Sequence, residues 1–189
     1  MKRLILVVIL VAIFVPLTVF AKCRNLEGTL VLTPDPDCTV LQFQKSGFPD
    51  VTFLADLRMP DTCFSGEVIG TLGKQELSGI SYSGLTDGGL FVFSGLEKLI
   101  GPPILADDIG FFTAATVIIL ADEDGPGKKH LIFLRDFGFN EISQLDTAEH
   151  LVVVGGKGKF RLAKGTIRIL GNEFIREMNQ VSGTICTPW

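Results

Sequence analysis

Short apolar runs rich in β-branched and aromatic residues recur along the chain, separated mostly by clusters of Gly, Pro, Asp and Ser. This rhythm is typical of an all-β sandwich or barrel. No window of ten or more residues has a convincing helical period, and no repeat or linker divides the chain. We therefore predict one all-β domain. Its candidate strands are 26–32, 51–57, 64–72, 77–85, 89–97, 111–120, 130–137, 149–155, 160–170 and 181–186.

Several of these runs are apolar on both faces, because apolar side chains predominate at both their odd-numbered and their even-numbered positions. Residues 90–93, 116–120 and 131–134 have this pattern. An antiparallel sheet with one face in water should alternate more cleanly. A second layer must therefore cover these strands: another subunit, another sheet, or side chains packed inside a barrel.

Residues 151–171 contain two apolar stretches on either side of a glycine-rich segment, which predicts a β-hairpin. Gly155, Gly156 and Gly158 can take a positive φ without a Cβ clash, so the turn can be tight.

The second stretch of this hairpin changes face. Phe160 lies on one face by strict alternation and Ile167 on the other. A strand with one buried face then needs an extra residue, and we predict a β-bulge at residues 163–165.

The same segment resembles a known family. Residues 155–165, Gly-Gly-Lys-Gly-Lys-Phe-Arg-Leu-Ala-Lys-Gly, resemble the Gly-Gly-Thr-Gly-Lys-Phe-Arg-Met-Ala-Arg-Gly signature of plant dirigent proteins, with Lys157 in place of Thr and Lys164 in place of Arg. Residues 182–188 are similar to the ending of bacterial secreted proteins in the barrel group that includes dirigent proteins and allene oxide cyclases. The resemblance implies a single antiparallel eight-stranded barrel that assembles as a trimer.

The resemblance also implies two activities. Dirigent proteins hold two phenoxy radicals so that they couple with one handedness, and allene oxide cyclases fold an unsaturated fatty-acid epoxide into a ring. Neither uses a cofactor, and both act mainly by shaping an apolar cavity. Of the residues that could serve these activities, only Arg161, and Lys164 as a stand-in for Arg, fall inside the matched segment, and the family's cavity acids and other basic residues lie outside it.

The first 21 residues have the pattern of a secretory signal peptide. A basic start at Lys2 and Arg3 precedes the uncharged apolar run 4–20, and Ala21 supplies a small residue for cleavage. An uncleaved membrane anchor is the alternative, since seventeen apolar residues are near the lower limit for a span. We predict a mature domain of residues 22–189, secreted or periplasmic, with no membrane contact after processing.

The charge balance argues against a nucleic-acid partner. Without Lys2 and Arg3, 15 basic residues face 21 acidic ones, a net charge of −6. Nucleic-acid binding requires a basic face.

Four cysteines in an exported chain indicate two disulfides, for which three pairings exist. No Cys-x-x-Cys pair suits zinc. In a closed antiparallel barrel the first and last strands are antiparallel neighbours. On that fold we predict that Cys23 pairs with Cys186, and Cys38 with Cys63.

Catalytic and metal motifs are scarce. His130 and His150 are too far apart for a metal-binding pair, and no Gly-x-Ser-x-Gly elbow is present. The acidic segment 122–124 is a candidate calcium loop, but its spacing favours a solvated turn. Asp107 and Asp108 are either a loop-borne acid pair or plain loop residues. We expect no metal and no cofactor.

A ligand site is the more informative hypothesis. Tyr82 lies in a strand of small residues that would leave space inside a barrel, beside the predicted strand that contains Phe91 and Phe93. Arg135 and Asp136 end an apolar strand and are candidates to face that space. The alternative is an exposed ion pair and a tyrosine at the rim.

We therefore expect a secreted barrel that binds a small apolar ligand, or a structural or interaction module, without catalysis. The alternative is a cofactor-free cyclase or dirigent-type coupling protein. An acid and a base facing inward would favour the alternative, and a filled barrel would favour the first hypothesis.

The mature chain is expected to begin at Lys22, because signal peptidase reads the small residue at Ala21. The intact mass of the exported protein checks this. A mass that includes residues 1–21 would contradict it.

Overall fold

The chain forms a closed antiparallel β-barrel of eight strands, in which each strand pairs with its neighbours in sequence and β8 pairs with β1. This computed structural model describes residues 21–59, 61–90, 109–120, 129–141 and 145–188. The predicted eight-stranded antiparallel barrel is confirmed. Its strands are β1 (Ala21–Pro34), β2 (Cys63–Leu72), β3 (Gln75–Leu90), β4 (Ile109–Leu120), β5 (His130–Glu141), β6 (Asp146–Lys157), β7 (Lys164–Asn172) and β8 (Asn179–Pro188).

The predicted strands agree with most of these elements, but one of them is wrong. Residues 51–57 lie in the connection between β1 and β2, where Leu54–Leu57 form a 3-10 helix. Of the predicted strand 89–97, residues 89 and 90 belong to β3 and the remainder lies outside the described residues. The predicted signal peptide also lies outside them, apart from Ala21, which begins β1. Within the described ranges, no helix has the length and apolar character needed to cross a membrane.

Alternate residues of every strand point into the barrel, and over most of its length they are aliphatic. The aliphatic side chains of the packed interior are each at most 8% exposed. Burying one such side chain stabilises the fold by about 1.5–3 kcal/mol relative to leaving it in water. The packed interior contains Leu26, Leu30, Val68, Leu72, Leu77, Ile118, Leu120, Ile132, Leu134, Leu151, Val153, Ile167, Ile169, Val181 and Ile185.

The connection between β1 and β2 forms an outer layer on the barrel wall. Val40, Phe48 and Phe53 are fully buried there against the outer faces of β4 and β5. The rings of Phe48 and Phe133 meet edge to face, with centroids 5.5 Å apart. This layer explains why β4 and β5 are apolar on both faces: one face lines the interior, and the chain's own connection covers the other.

Both predicted disulfides are confirmed. Cys23 and Cys186 lie directly opposite each other on β1 and β8, so their bond joins the two strands that close the barrel. The bond between Cys38 and Cys63 fastens the outer layer to the start of β2.

The hairpin of β6 and β7 differs from the prediction. A 3-10 turn, Gly158–Phe160, and a short turn follow β6, so no single strand contains both Phe160 and Ile167. Phe160 is buried while Leu162 is 67% exposed. The predicted bulge at 163–165 is therefore wrong, because there is no continuous register for it to restore.

The register shifts occur elsewhere, one between Leu85 and Asp87 in β3 and one where Phe133 and Leu134 pair with β6. At the hairpin itself, Gly158 has φ +64° as predicted, whereas Gly155 and Gly156 are part of β6.

We expect the replacement Cys23→Ala/Cys186→Ala to lower the free energy of unfolding more than Cys38→Ala/Cys63→Ala does. The closing bond spans 163 residues and the other spans 25. In the chain-entropy model the difference is roughly 1–2 kcal/mol. Urea unfolding of both variants measures it. A larger loss from the shorter loop would show that native-state packing, and not chain entropy, dominates.

Candidate functional site

The chemistry of the barrel interior changes towards one end. On β4, β5 and β6 the inward-facing aliphatic series continues with polar residues: Thr116 precedes Ile118, Asp136 follows Leu134, and Glu149 precedes Leu151, each two positions away. A spacing of two keeps a side chain on the same face of a strand. The acids are therefore inside the barrel as a consequence of strand register.

Asp136 is the most unusual of these residues. It is 4% exposed. Its Oδ2 accepts a hydrogen bond from the hydroxyl of Thr116, which is hydrogen-bonded in turn to Ser83, but its Oδ1 has no hydrogen-bond partner. Burial raises the pKa of Asp136 to about 8, and the nearby Glu173 carboxyl acts in the same direction against the Thr116 hydrogen bond. Asp136 is thus largely protonated at neutral pH.

Two further acids share this end of the interior. Glu149 on β6, 8% exposed, lies opposite Gly138, and burial followed by the charges of Glu173 and Asp136 raises its pKa well above the usual range. Glu173 follows β7 and is 5% exposed. Burial raises its pKa to about 7, although a hydrogen bond with Thr147 opposes the shift.

The connection from β7 to β8 holds Glu173 in place. The backbone N–H of Leu32 donates to the carbonyl oxygen of Glu173 at 2.8 Å. Asn179 fastens the same connection to β1: its Nδ2 donates to the carbonyl of Leu30 at 2.7 Å and of Ile175 at 2.8 Å, and its Oδ1 accepts from the N–H of Leu30 at 2.9 Å. A buried side chain that satisfies this many backbone groups fixes a turn firmly. The third acid thus depends on a tertiary contact between the turn and β1.

The described part of the chain places no basic side chain beside these acids. Among the described residues, no basic side chain contributes to the pKa of Asp136, Glu149 or Glu173. Arg135, the neighbour of Asp136 in sequence, points outward and forms an exposed ion pair with Asp50. Its hydrogen bond lowers the pKa of the Asp50 carboxyl.

Among the described residues, the side chains of the acid-lined end are less completely buried than those of the aliphatic end. Ser83, Leu85 and Phe112 face inward by register, yet each is only half-buried. The ring of Phe112 lies against Gly138, where a Cβ atom would overlap it. Since Gly138 is opposite Glu149, an aromatic ring covers the strand position next to that acid. We refer to this acid-lined end, where the acids are buried and Ser83, Leu85 and Phe112 are partly accessible, as the recess.

Of the three predicted ligand-site residues that the structure describes, Asp136 is the one that faces the interior. Tyr82 packs in the outer layer, and Arg135 is on the outer surface. Phe91 and Phe93 lie outside the described residues, as do Asp107, Asp108 and the acidic segment 122–124. Arg161 and Lys164 of the matched segment are exposed on the barrel exterior.

Sequence reasoning missed Thr116, Glu149 and Glu173. Glu149 shares its parity with Leu151 and Val153, so a charged residue in an inward series was a readable signal. Glu173 follows the end of its strand, and nothing local marks it as buried.

The acids do not form a metal site. In the parts of the chain that the structure describes, no three His, Cys, Asp or Glu side chains are arranged to hold a metal ion. The exterior has a shallow groove of about 480 Å³ between β6, β7 and β8, and it contains none of the three acids. Its lining includes Val152, Val154, Lys164, Thr166 and Thr184.

Comparison of the chain with protein-family models finds no match, and comparison with curated proteins finds none. The resemblance to dirigent proteins therefore depends on the residues quoted for it.

The replacement Asp136→Asn should make the protein more stable than the wild type at alkaline pH. A carboxyl whose pKa rises on folding contributes stability that is complete below the unfolded pKa, near 4, and is lost as the pH rises through the folded value, about 8. The advantage of the amide should therefore grow between pH 5 and pH 8, by up to about 4 kcal/mol. Urea unfolding across this range measures it.

Asp50→Asn is the matched control. The pKa of this exposed carboxyl is lowered on folding, so its contribution is present throughout the range above pH 5. The control should therefore differ from the wild type by the same amount at pH 5.5 and pH 8. An Asp136→Asn profile parallel to the wild type would contradict the raised pKa.

Proposed function

We propose that this protein is an exported, disulfide-closed barrel that binds a small, largely apolar ligand at the acid-lined end of its interior. One observation carries the proposal: Oδ1 of Asp136 is buried without a hydrogen-bond partner at the end of the interior where Ser83 and Phe112 are partly accessible. A buried polar atom without a partner costs about 1–3 kcal/mol. A ligand that forms a hydrogen bond to this atom would offset that cost.

The surroundings of Asp136 support a ligand with an apolar body and a polar end. Leu134 and Leu151 line the interior beneath the acids, and Phe112 adds an aromatic side. Small-molecule sites usually combine mostly apolar walls with a few polar groups that fix orientation.

Export rests on two observations of different kinds. Two disulfides are typical of an oxidising compartment. The pattern of residues 1–21 is that of a secretory signal peptide. Together they favour a secreted or periplasmic protein.

A homo-oligomer is part of the proposal, with a trimer implied by the resemblance. The outer surface supports it: Phe137 and Phe139 on β5 and Leu170 on β7 are large apolar side chains that are all more than a third exposed. Large exposed apolar side chains that form a patch mark subunit interfaces in many proteins.

A cofactor-free cyclase or dirigent-type protein is the second candidate. The observation that favours it is a carboxyl group that stays protonated at neutral pH inside a barrel, since such a group can act as a general acid. Protonation of an epoxide oxygen by Asp136 is the step that such a cyclase would need. The absence of a basic partner among the described residues around the acids favours the binding protein over the enzyme.

The interior can be tested with matched leucine substitutions on β3. Ser83 faces the acid-lined end, whereas Ser78 on the same strand is exposed on the exterior. We expect the wild type and Ser78→Leu to bind the apolar dye Nile red with a blue-shifted emission. Ser83→Leu should bind it at least tenfold more weakly, because the larger side chain occupies the recess.

Circular dichroism and urea unfolding serve as the control that each variant is folded. Equal dye binding by the two variants would place binding outside the interior. No binding by the wild type would leave a structural or interaction module as the function.

A further inference from the structure

We infer that the ligand of the acid-lined recess is an organic ammonium ion, such as a primary amine, with an aromatic or aliphatic body. This inference depends on the proposed ligand-binding function and specifies the chemical class of the ligand. It is drawn from the charges, the hydrogen-bonding capacity and the aromatic side of the recess.

Charge is the first argument. Asp136, Glu149 and Glu173 are each less than a tenth exposed, and no described basic side chain is near enough to shift the pKa of any of them. Buried charges are otherwise paired. The described residues provide no cation to neutralise these carboxylates, and a positively charged ligand would do so.

Hydrogen-bonding capacity is the second argument. An ionised carboxylate only accepts hydrogen bonds. Hydroxyl groups form hydrogen bonds with two of the three acids. Thr116 donates to Oδ2 of Asp136, and Thr147 is hydrogen-bonded to Glu173. Oδ1 of Asp136 has no donor. An ammonium group has three N–H donors and no acceptor, whereas an alcohol has a single donor.

The aromatic ring is the third argument. Phe112 lies against Gly138, the residue opposite Glu149. The face of an aromatic ring attracts a nearby ammonium ion by roughly 0.5–2 kcal/mol, depending on how far the ion is desolvated. Acids together with an aromatic ring are complementary to an organic cation. The face of the ring does not attract an anion in this way.

The arrangement also favours an organic cation over the other cationic partners. The described residues contain no cluster arranged to hold a metal ion, so the acids do not converge on one point. Their burial inside the barrel excludes a broad basic protein surface, which would need exposed carboxylates. A small amine bound at the acid-lined end fits both observations.

Three related probes test the inference: phenethylamine, its isostere 2-phenylethanol, and the slightly larger 3-phenylpropionate. Each has one phenyl ring on a short chain, and they differ in the charge of the terminal group. At pH 8 we expect displacement of Nile red to give a Kd for phenethylamine at least tenfold lower than for the alcohol, with the carboxylate weakest.

The affinity for phenethylamine is expected to change with pH in one direction. The titratable groups around the recess are Asp136 on β5, Glu149 on β6 and Glu173 after β7, and the hydroxyls of Ser83, Thr116 and Thr147 complete its polar groups. Phenethylamine stays cationic from pH 5.5 to pH 8, while acids with pKa values of about 7 and 8 ionise over that range. Its affinity should therefore rise with pH, and calorimetry at pH 7 in buffers of different ionisation enthalpy should show proton release on binding.

Variants complete the test. Asp136→Asn should bring the affinity for the amine within about threefold of the affinity for the alcohol, and Glu149→Gln provides a second measurement if the first variant folds poorly. Asp50→Asn, which removes a carboxyl from the exterior, should leave both affinities unchanged.

The outcomes separate the inference from the proposed function. Alcohol binding as tight as or tighter than amine binding overturns the inference and leaves the ligand-binding barrel standing. Binding of Nile red without competition by any probe does the same. If neither Nile red nor any probe binds, both fail.

Discussion

Closure of the sheet between β1 and β8 is the constraint on which the rest of this structure depends. A closed barrel has a single interior, and each strand sends every second side chain into it. The register of each strand therefore decides which residues share that space. Pairing of β1 with β8, reinforced by the bond between Cys23 and Cys186, fixes the register around the whole circle.

This constraint accounts for the different positions of neighbouring residues. Arg135 and Asp136 are adjacent in sequence, yet one forms an ion pair in water and the other is buried with an unpartnered oxygen. An open sheet could slip by one residue and exchange them, but a closed barrel cannot do so without exposing Leu134 and burying the arginine. The acid cluster is thus maintained by the same register that buries the aliphatic interior.

Much of the fold was accessible from the sequence because it follows from local rules. Turn residues and apolar runs marked most strands, and the antiparallel closure that the family resemblance implied gave both disulfide pairs. Residues 51–57 resemble a strand because they are apolar. In the structure, some of their apolar side chains pack in the layer on the outer surface of the barrel, and the segment does not form a strand of the sheet.

The site was less accessible, because it depends on register and on tertiary contacts. The parity of Glu149 with Leu151 is a local signal, but its meaning requires knowing which face of β6 points inward. Glu173 has no local signal, since Asn179 and the backbone of β1 determine where its connection lies. Tyr82 belongs to a strand of small residues as expected, yet its parity places it in the outer layer.

The outer layer gives the barrel two mechanically different walls. On β3, β4 and β5 the layer of Phe48 and Phe53 supports the same strands that hold Ser83, Thr116 and Asp136 on their inner faces. Close-packed layers resist deformation. The opposite wall, β6 to β8, has no such layer among the described residues and exposes Val152 and Val154. A molecule too wide for the interior should therefore displace β6 to β8 outward more readily than β3 to β5, the wall that holds Asp136.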